Sequence, residues 1–264
     1  MLELKNLRKT FNPGTINEKV ALNDLTLTLE KGEFLTVIGG NGAGKSTMLN
    51  SVAGVFLPDS GSITIDGRDV TRLPEHKRAP FIGRVFQDPM MGTAASMGIE
   101  ENLALAIRRG RRRGLKWGIT AKERTIYRDL LARLGLGLED RMTAKVGLLS
   151  GGQRQALTLL MATIQEPKLL LLDEHTAALD PQTAAKVLDA TEHVIERDNL
   201  TTLMITHNMK DAIAHGTRLI MMYNGRVVID VKGEEKKKLT VEKLLEMFAK
   251  VSGSDEADDT LLLS

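Results

Sequence analysis

The sequence lacks cysteine entirely, and aromatic residues make up only 3% of its 264 positions. A chain without cysteine contains no disulfide bond, thiol nucleophile, zinc knuckle or iron–sulfur cluster. Its low aromatic content disfavours a surface on which the bases of a single-stranded nucleic acid stack. An excess of one charge is also lacking, because 36 Lys and Arg against 34 Asp and Glu leave a formal net charge of +2. We therefore expect no nucleic-acid partner.

Long apolar runs are missing as well. A bilayer-spanning helix needs about 20 apolar residues, whereas Leu169–Leu172 is a run of only four leucines. The first residues, Met1–Lys5, alternate apolar and polar side chains and contain no apolar core of a signal peptide. We therefore expect a cytoplasmic chain whose contact with a membrane is peripheral.

The sequence does contain an alternation of strand-like and helix-like segments. This alternation predicts an α/β fold with a mostly parallel sheet covered on both faces. The predicted strands lie near 2–7, 20–29, 34–38, 63–65, 82–86, 169–172, 201–205, 219–223 and 227–231. The predicted helices lie near 45–53, 100–109, 120–134, 151–165, 181–197 and 209–214.

The strand pattern is interrupted in the middle of the chain. Residues 88–165 predict helices only, which indicates a helical subdomain inserted into a core formed by about 1–87 and 166–235. We expect one domain over residues 1–250. The acidic residues 251–264 predict a disordered tail.

A glycine-rich loop follows one predicted strand and begins a predicted helix. Its sequence, GGNGAGKST, matches the pattern G-x-x-x-x-G-K-[ST] in the context that this pattern requires. Glycines let backbone N–H groups converge on a polyphosphate, and the helix start adds unpaired donors and a partial positive charge. The candidate phosphate-binding residues are Gly39, Asn41, Gly42, Ala43, Gly44, Lys45, Ser46 and Thr47.

Lys45 is expected to contribute most to phosphate binding. A full charge at about 4 Å and an effective dielectric near ~20 interacts by about 4 kcal/mol with each unit of negative charge, against roughly 0.3–2 kcal/mol for the helix dipole. Ser46 is expected to place its hydroxyl on Mg²⁺.

Two carboxylates, Asp173 and Glu174, end the buried strand that contains Leu169–Leu172. In open α/β sheets, ligands bind beyond the carboxyl ends of the strands, where the phosphate-binding loop also lies. Asp173 suits Mg²⁺, which prefers carboxylate and phosphate oxygens. Glu174 is the candidate general base for an attacking water, or the residue that positions this water.

A second glycine-rich helix start contains Ser150, Gly151, Gly152 and Gln153. Ser150 is a favourable N-cap, and the two glycines expose the first backbone donors of the helix. Together with the two preceding motifs, this one makes the sequence resemble the ATP-binding subunit of an ABC transporter. The resemblance extends from Phe11 to His207.

The resemblance implies a P-loop NTPase (RecA-like) core with an antiparallel β portion and an inserted α-helical subdomain. It implies that Phe11 stacks on adenine and that Gln87 links Mg²⁺ and the attacking water to the helical subdomain. Ser150–Gln153 would be the signature that contacts the γ-phosphate in the partner subunit. Asp180 would lie in the loop that crosses the dimer interface, and His207 would hydrogen-bond the γ-phosphate.

Two residues depart from the pattern of many relatives. Gly40 stands where Pro or Ser is common, which should loosen the phosphate-binding loop without removing a donor. His175 follows Glu174 where Pro is usual, so we expect a less stiff turn at the general base. Since Lys45, Asp173, Glu174 and His207 are all present, neither departure predicts an inactive protein.

The implied activity is hydrolysis of ATP to ADP and phosphate, with ATP and Mg²⁺ as cofactors and a homodimer that holds ATP at its interface. The lack of a fused membrane span favours separate permease subunits, as in importers and some bacterial exporters. The segment Phe11–Thr15 and the Arg-rich stretch look most similar to importer ATPases paired with amino-acid permeases, which implies an amino-acid-like solute. An extracytoplasmic substrate-binding protein is a further implied partner. The expected location is the inner face of the cell membrane. The alternatives are a non-transport ABC ATPase acting on nucleic acid or the ribosome, export of a lipid or peptide, and a silent ATP sensor.

Two further segments leave alternatives open. The basic stretch 108–117, which ends at Trp117, fits a solvated surface, contact with anionic lipid headgroups, or nucleic-acid binding. Met90, Met91 and Met97 fit an adaptable groove for a permease helix or core packing.

Overall fold

The computed structural model describes residues 1–110 and 118–252, so the tail beyond 252 and most of the basic stretch lie outside the described residues. The strands are β1 Leu2–Phe11, β2 Lys19–Leu29, β3 Phe34–Ile38, β4 Ser60–Ile65, β5 Arg68–Asp69, β6 Ile82–Val85, β7 Leu169–Asp173, β8 Thr202–Ile205, β9 Arg218–Tyr223 and β10 Arg226–Lys232. The helices are α1 Lys45–Ala53, α2 Glu75–Arg78, α3 Ile99–Ala106, α4 Ala121–Ala132, α5 Gly151–Thr163, α6 Pro181–Asp198, α7 Met209–Ala214, α8 Glu234–Lys237 and α9 Val241–Ser252, with a 3₁₀ turn at Val146–Leu148.

The chain divides into two compact units. The first contains Met1–Arg78 together with the residues from Asn199 onward, and the second contains Ala79–Asp198. Within the described residues, no helix combines the length and apolar character needed to cross a membrane.

Two sheets form the first unit. β1 pairs antiparallel with β2 and β4, and β4 pairs antiparallel with β5. β3 pairs in parallel with β8 and β9, and β10 closes that edge as an antiparallel partner of β9. Every residue of β3 is buried, as expected for a short apolar strand inside a parallel sheet. Its one polar side chain, Thr36, donates its hydroxyl to the carbonyl oxygen of Ala212 at 2.8 Å.

Helix α1 follows β3 in the same unit, and a glycine flanks it at each end. Gly44 precedes it at φ 101°, and Gly54 ends it in the left-handed conformation at φ 86°, a common helix C-terminus. Beyond that end lies the fully buried guanidinium of Arg78, which donates to the carbonyl oxygens of Ser51 and Val52 at 2.7 and 2.8 Å. A buried cation therefore satisfies carbonyls of the last turn of α1.

The second unit combines one strand pair with a helical core. β6 and β7 run parallel, with Ile82 opposite Leu169. Apolar faces of the helices meet in a buried cluster that includes Ile99, Leu103, Tyr127, Leu131 and Leu157. Helices α3, α4 and α5 all lie within the stretch 88–165 for which only helices are predicted. That this stretch is a separate subdomain remains a prediction.

Predicted and observed elements differ mainly at their ends. The helix predicted over 100–109 ends at Ala106, and the one predicted over 151–165 ends at Thr163. Helices α2, α8 and α9 were not predicted. Where the structure describes the basic stretch, it shows internal contacts: Arg108 pairs with Glu123 at 2.6 Å, and Arg109 donates to the carbonyl oxygen of Ala162 at 3.3 Å.

Candidate nucleotide-binding site

The phosphate-binding loop, residues 39–47, joins β3 to α1 in the first unit. Gly39, Gly42 and Gly44 all have positive φ, at 148°, 81° and 101°. A β-carbon on Gly39 would collide with the carbonyl oxygen of Met222, and one on Gly44 would lie 2.5 Å from the carbonyl oxygen of Ala21. Glycine is therefore required at both positions by backbone conformation and by close packing on neighbouring strands.

Lys45 is held inside this loop. Its side chain is buried, and its ammonium donates to the carbonyl oxygens of Gly39 and Gly40 at 2.6 and 3.2 Å. The next residue, Ser46, is exposed on the first turn of α1. No acidic residue lies in that turn, so the partial positive charge of the helix start is not neutralised locally.

His207 lies at the same sheet edge as the phosphate-binding loop. β3 and β8 are parallel neighbours, with Val37 opposite Ile205, and the Thr206 N–H donates to the Val37 carbonyl at 3.2 Å. Both the loop and His207 follow the carboxyl ends of these strands, the edge where open α/β sheets bind ligands. His207 itself is exposed.

Phe11 ends β1 in the same unit and is half-buried. Its ring meets that of Phe56 edge-on, with centroids 5.3 Å apart, and the Lys9 ammonium lies 5.7 Å from the centroid of the Phe11 ring. These contacts fix the ring; its stacking on adenine remains a prediction.

The acidic strand end lies in the second unit. Asp173 is the last residue of β7, and Gln87 follows the parallel strand β6, whose Val85 is opposite Leu172. The structure thus brings Gln87 and Asp173 to one sheet edge. The Asp173 carboxylate accepts a hydrogen bond from Arg84 at 3.2 Å.

Glu174 lies in a turn that buried contacts hold in place. Its φ is +43°, a left-handed conformation that is uncommon for a residue other than glycine. The next side chain, His175, is buried, and its Nε2 lies 3.3 Å from the Thr191 hydroxyl on α6. That hydroxyl also donates to the Val187 carbonyl at 2.7 Å, so it accepts a hydrogen bond from His175 in the tautomer that carries the proton on Nε2. His175 was predicted to make this turn less stiff than proline would, but its buried side chain contacts Thr191 and anchors the turn.

The second glycine-rich helix start forms a reciprocal cap on α5. The Ser150 hydroxyl accepts from the Gln153 N–H at 3.3 Å, and the Gln153 side chain accepts from the Ser150 N–H at 3.2 Å. This capping box confirms Ser150 as the N-cap. A β-carbon on Gly152 would collide with the Thr183 methyl group, so α5 and α6 begin in close contact.

Asp180 lies beside this capped helix start. Its carboxylate accepts from the Thr183 N–H at 3.1 Å. Hydrogen bonds from the Thr183 side chain and backbone lower the pKa of Asp180. A β-carbon on Gly151 would lie 3.1 Å from the Leu179 side chain. The structure therefore brings Ser150–Gln153 and Asp180 together within the second unit.

Comparison with known proteins shows the family to which a chain with these motifs belongs. A family model described as ABC transporter matches residues 22–177. The chain belongs to the ABC transporter family. It is an ATP-binding subunit of the ABC type and an ATPase, and the P-loop NTPase core expected from the resemblance is confirmed.

This ABC ATPase is similar to curated transport proteins and to solved ATP-binding cassettes. The chain is 47% identical to the tyrosine transport ATP-binding protein of Clostridioides difficile (strain R20291), covering 94% of this chain and 98% of that protein. It is 35% identical to the thiamine import ATP-binding protein ThiQ of Shigella flexneri, over 80% of this chain and 85% of that protein. The dimeric ATP-binding cassette MJ0796, solved in a post-hydrolysis state with ADP and Pi, superposes with a TM-score of 0.74 at 31% identity, over 88% and 98% of the two chains.

Sequence reasoning missed three residues that support the site of this ABC ATPase. Arg84 pairs with Asp173, Thr183 links Gly152 to Asp180, and Thr191 anchors His175. Each acts across a distance in the sequence or from the inner face of a helix, so no local motif reveals it.

The structure also bears on the three methionines that follow Gln87. Core packing is excluded for Met90 and Met91, which are 42% and 70% exposed. Met97 is half-buried.

Proposed function

We propose that this chain is the ATP-hydrolysing subunit of an importer for an amino acid or a closely similar solute. The observation that carries the proposal is its 47% identity, over 98% of that protein's length, to a tyrosine transport ATP-binding protein. The subunit works as a homodimer with separate permease subunits at the inner face of the cytoplasmic membrane. An extracytoplasmic substrate-binding protein delivers the solute.

The phosphate-binding loop is proposed to hold the polyphosphate of ATP. Its backbone donors converge because Gly39, Gly42 and Gly44 adopt positive φ, and Lys45 brings a buried positive charge to the same loop. His207, beyond the neighbouring strand, donates a hydrogen bond to the γ-phosphate. Phe11 stacks on the adenine ring. Hydrolysis of this kind depends on positioning and charge stabilisation more than on covalent chemistry of the protein.

Mg²⁺ is proposed as the metal that accompanies ATP. Ser46 would supply a hydroxyl, Gln87 an amide oxygen and Asp173 a carboxylate, and oxygen atoms of these kinds are the hard ligands that Mg²⁺ prefers. Within the described residues, no three His, Asp or Glu side chains cluster into a metal site. When bound, the ion neutralises charge on the phosphate oxygens.

Glu174 is proposed to orient and deprotonate the attacking water. The backbone at Glu174 is left-handed, and the buried side chain of His175 anchors the same turn. The signature residues Ser150, Gly151, Gly152 and Gln153 are proposed to contact the γ-phosphate of the ATP held by the other subunit, with Asp180 at the interface between subunits.

The test is a reconstituted transporter that contains this subunit and the permeases that copurify with it from membranes. The wild-type complex should hydrolyse ATP and accumulate labelled tyrosine in proteoliposomes. Glu174→Gln should bind ATP with unchanged affinity and lose at least about 100-fold in turnover, since general bases contribute about 10²–10⁴-fold.

The matched control is Glu166→Gln, because Glu166 is exposed and also has a left-handed backbone, at φ 49°, in the same unit. That variant should turn over like the wild type. Wild-type hydrolysis rates in Glu174→Gln would refute the assignment of the base. ATP hydrolysis without uptake of any amino acid would refute the proposed substrate class.

A further inference from the structure

Next to Gly42 of the phosphate-binding loop lies the side chain of a lysine, Lys19, that belongs to no sequence motif. Lys19 begins β2, opposite Phe11 of β1. Its ammonium lies 2.9 Å from the point that a β-carbon on Gly42 would occupy. The side chain is exposed, so it reaches the loop from the solvent side.

Among the residues that the structure describes, no nearby carboxylate neutralises the Lys19 ammonium beside the loop. Across residues 1–110 and 118–252, no carboxylate forms a salt bridge with it. The neighbouring acid, Glu18, accepts a hydrogen bond from the Gly14 N–H at 2.7 Å. Lys45, which belongs to the loop itself, donates to the carbonyl oxygens of Gly39 and Gly40. The loop thus has one ammonium at Gly39–Gly40 and another at Gly42.

We infer that Lys19 is a second cationic ligand for the polyphosphate of ATP, acting beside Lys45. Two like charges beside one glycine loop repel each other, and an anionic chain bound by the loop converts that repulsion into attraction to both. Because Lys19 is exposed, water and salt screen its contribution, which is therefore smaller than that of Lys45. The inference rests on the proposed role of the loop as the ATP site.

The experiment measures displacement of a fluorescent ATP analogue by ATP, ADP and tripolyphosphate, at low and high salt. Lys19→Ala should weaken all three competitors by about two- to fivefold, the range expected for a partly screened charge contact. Lys19→Arg should restore affinity to within about twofold, because the charge is kept. The defect of Lys19→Ala should shrink at about 1 M salt, where the screening length is about 3 Å.

The control is Lys31→Ala, which removes an exposed lysine between β2 and β3, at the opposite end of β3 from the loop. It should bind all three competitors like the wild type. Lys19→Met, which keeps the length of the side chain, serves as a second neutral variant should Lys19→Ala fold poorly.

Three outcomes separate the claims. If Lys19→Ala and Lys19→Met both bind like Lys31→Ala, Lys19 is not a ligand. If their loss appears with ATP and not with tripolyphosphate, Lys19 contacts the base or ribose, and the inference is wrong. If Lys45→Ala binds ATP like the wild type, the loop is not the ATP site, and the proposed function fails independently of Lys19.

Discussion

Arg78 is a residue whose role is set by burial and not by any motif. Its guanidinium is fully buried and donates to four carbonyl oxygens, those of Ser51, Val52, Leu73 and Thr71. Burial lowers the pKa of Arg78 to about 10, partly offset by Asp69, so the side chain stays charged at neutral pH. It therefore joins the end of α1 to the segment that follows β5.

Replacing Arg78 by lysine should destabilise the protein by about 2–4 kcal/mol. An ammonium keeps the charge but cannot reach four carbonyls in the fork geometry of a guanidinium, so buried acceptors lose their donors. Urea unfolding measures the difference. The control is Arg128→Lys at an exposed position of α4, expected to change stability by less than about 0.5 kcal/mol. Equal stability of the two variants would contradict the role given to Arg78.

Residues of the candidate site differ in how well sequence predicts them. The phosphate-binding loop was predictable because glycine conformation and a helix start leave a local, contiguous pattern. The left-handed backbone of Glu174 and the bond from His175 to Thr191 were not, because they depend on a helix packed against the turn. Lys19 was missed for a similar reason. It meets Gly42 only because β2 lies beside the loop.

At the scale of elements, strand and helix predictions succeeded where burial was nearly complete or a cap was clear. β3 and α1 have the predicted bounds, since one is a continuous apolar run and the other lies between glycines. The ends of α3 and α5 were overestimated, because periodicity continues past the point at which the backbone turns away. The short helices α2 and α8 consist mainly of charged residues and carry no apolar period.

Helix α9 was missed although its packing is specific. Leu244 and Phe248 are buried in a cluster with residues of β9 and β10, and the Phe248 ring meets that of Tyr223 edge-on at 5.5 Å between centroids. Its apolar residues follow helical spacing, but the helix lies after the last predicted strand, in a segment for which neither helix nor strand was predicted. The helix therefore packs on one face of the sheet at β9 and β10.

Phe248→Ala should destabilise the first unit by about 3–5 kcal/mol, because it removes a buried ring and leaves a cavity. Leu245→Ala, on the exposed side of the same helix at 37% exposure, should cost about 1 kcal/mol or less. Thermal and urea unfolding of the two variants measure the contrast. If both lose the same stability, α9 does not pack as the structure shows.

At the scale of the whole molecule, the predicted chemistry is divided between two compact units. The phosphate-binding loop, Phe11 and His207 lie in the first, whereas Gln87, Asp173, Glu174, Asp180 and Ser150–Gln153 lie in the second. These candidate site residues were predictable from the sequence, because each belongs to a short local motif. Two helices of the second unit begin with the same reciprocal cap, at Thr120 and at Ser150, and both caps follow the local sequence pattern S/T-x-x-E/Q.

These two caps allow a charge test of the proposed homodimer. In a Glu174→Gln background, ATP should drive association into a dimer, measured by light scattering. Adding Ser150→Asp keeps a good N-cap but places a carboxylate where the γ-phosphate of the other subunit is proposed to bind, so association should weaken by at least about tenfold. Thr120→Asp makes the same change at the equivalent cap of α4 and should leave association unchanged. Equal dimerisation of the Ser150→Asp and Thr120→Asp proteins would mean that this helix start does not face a phosphate, because a new negative charge there would otherwise oppose binding.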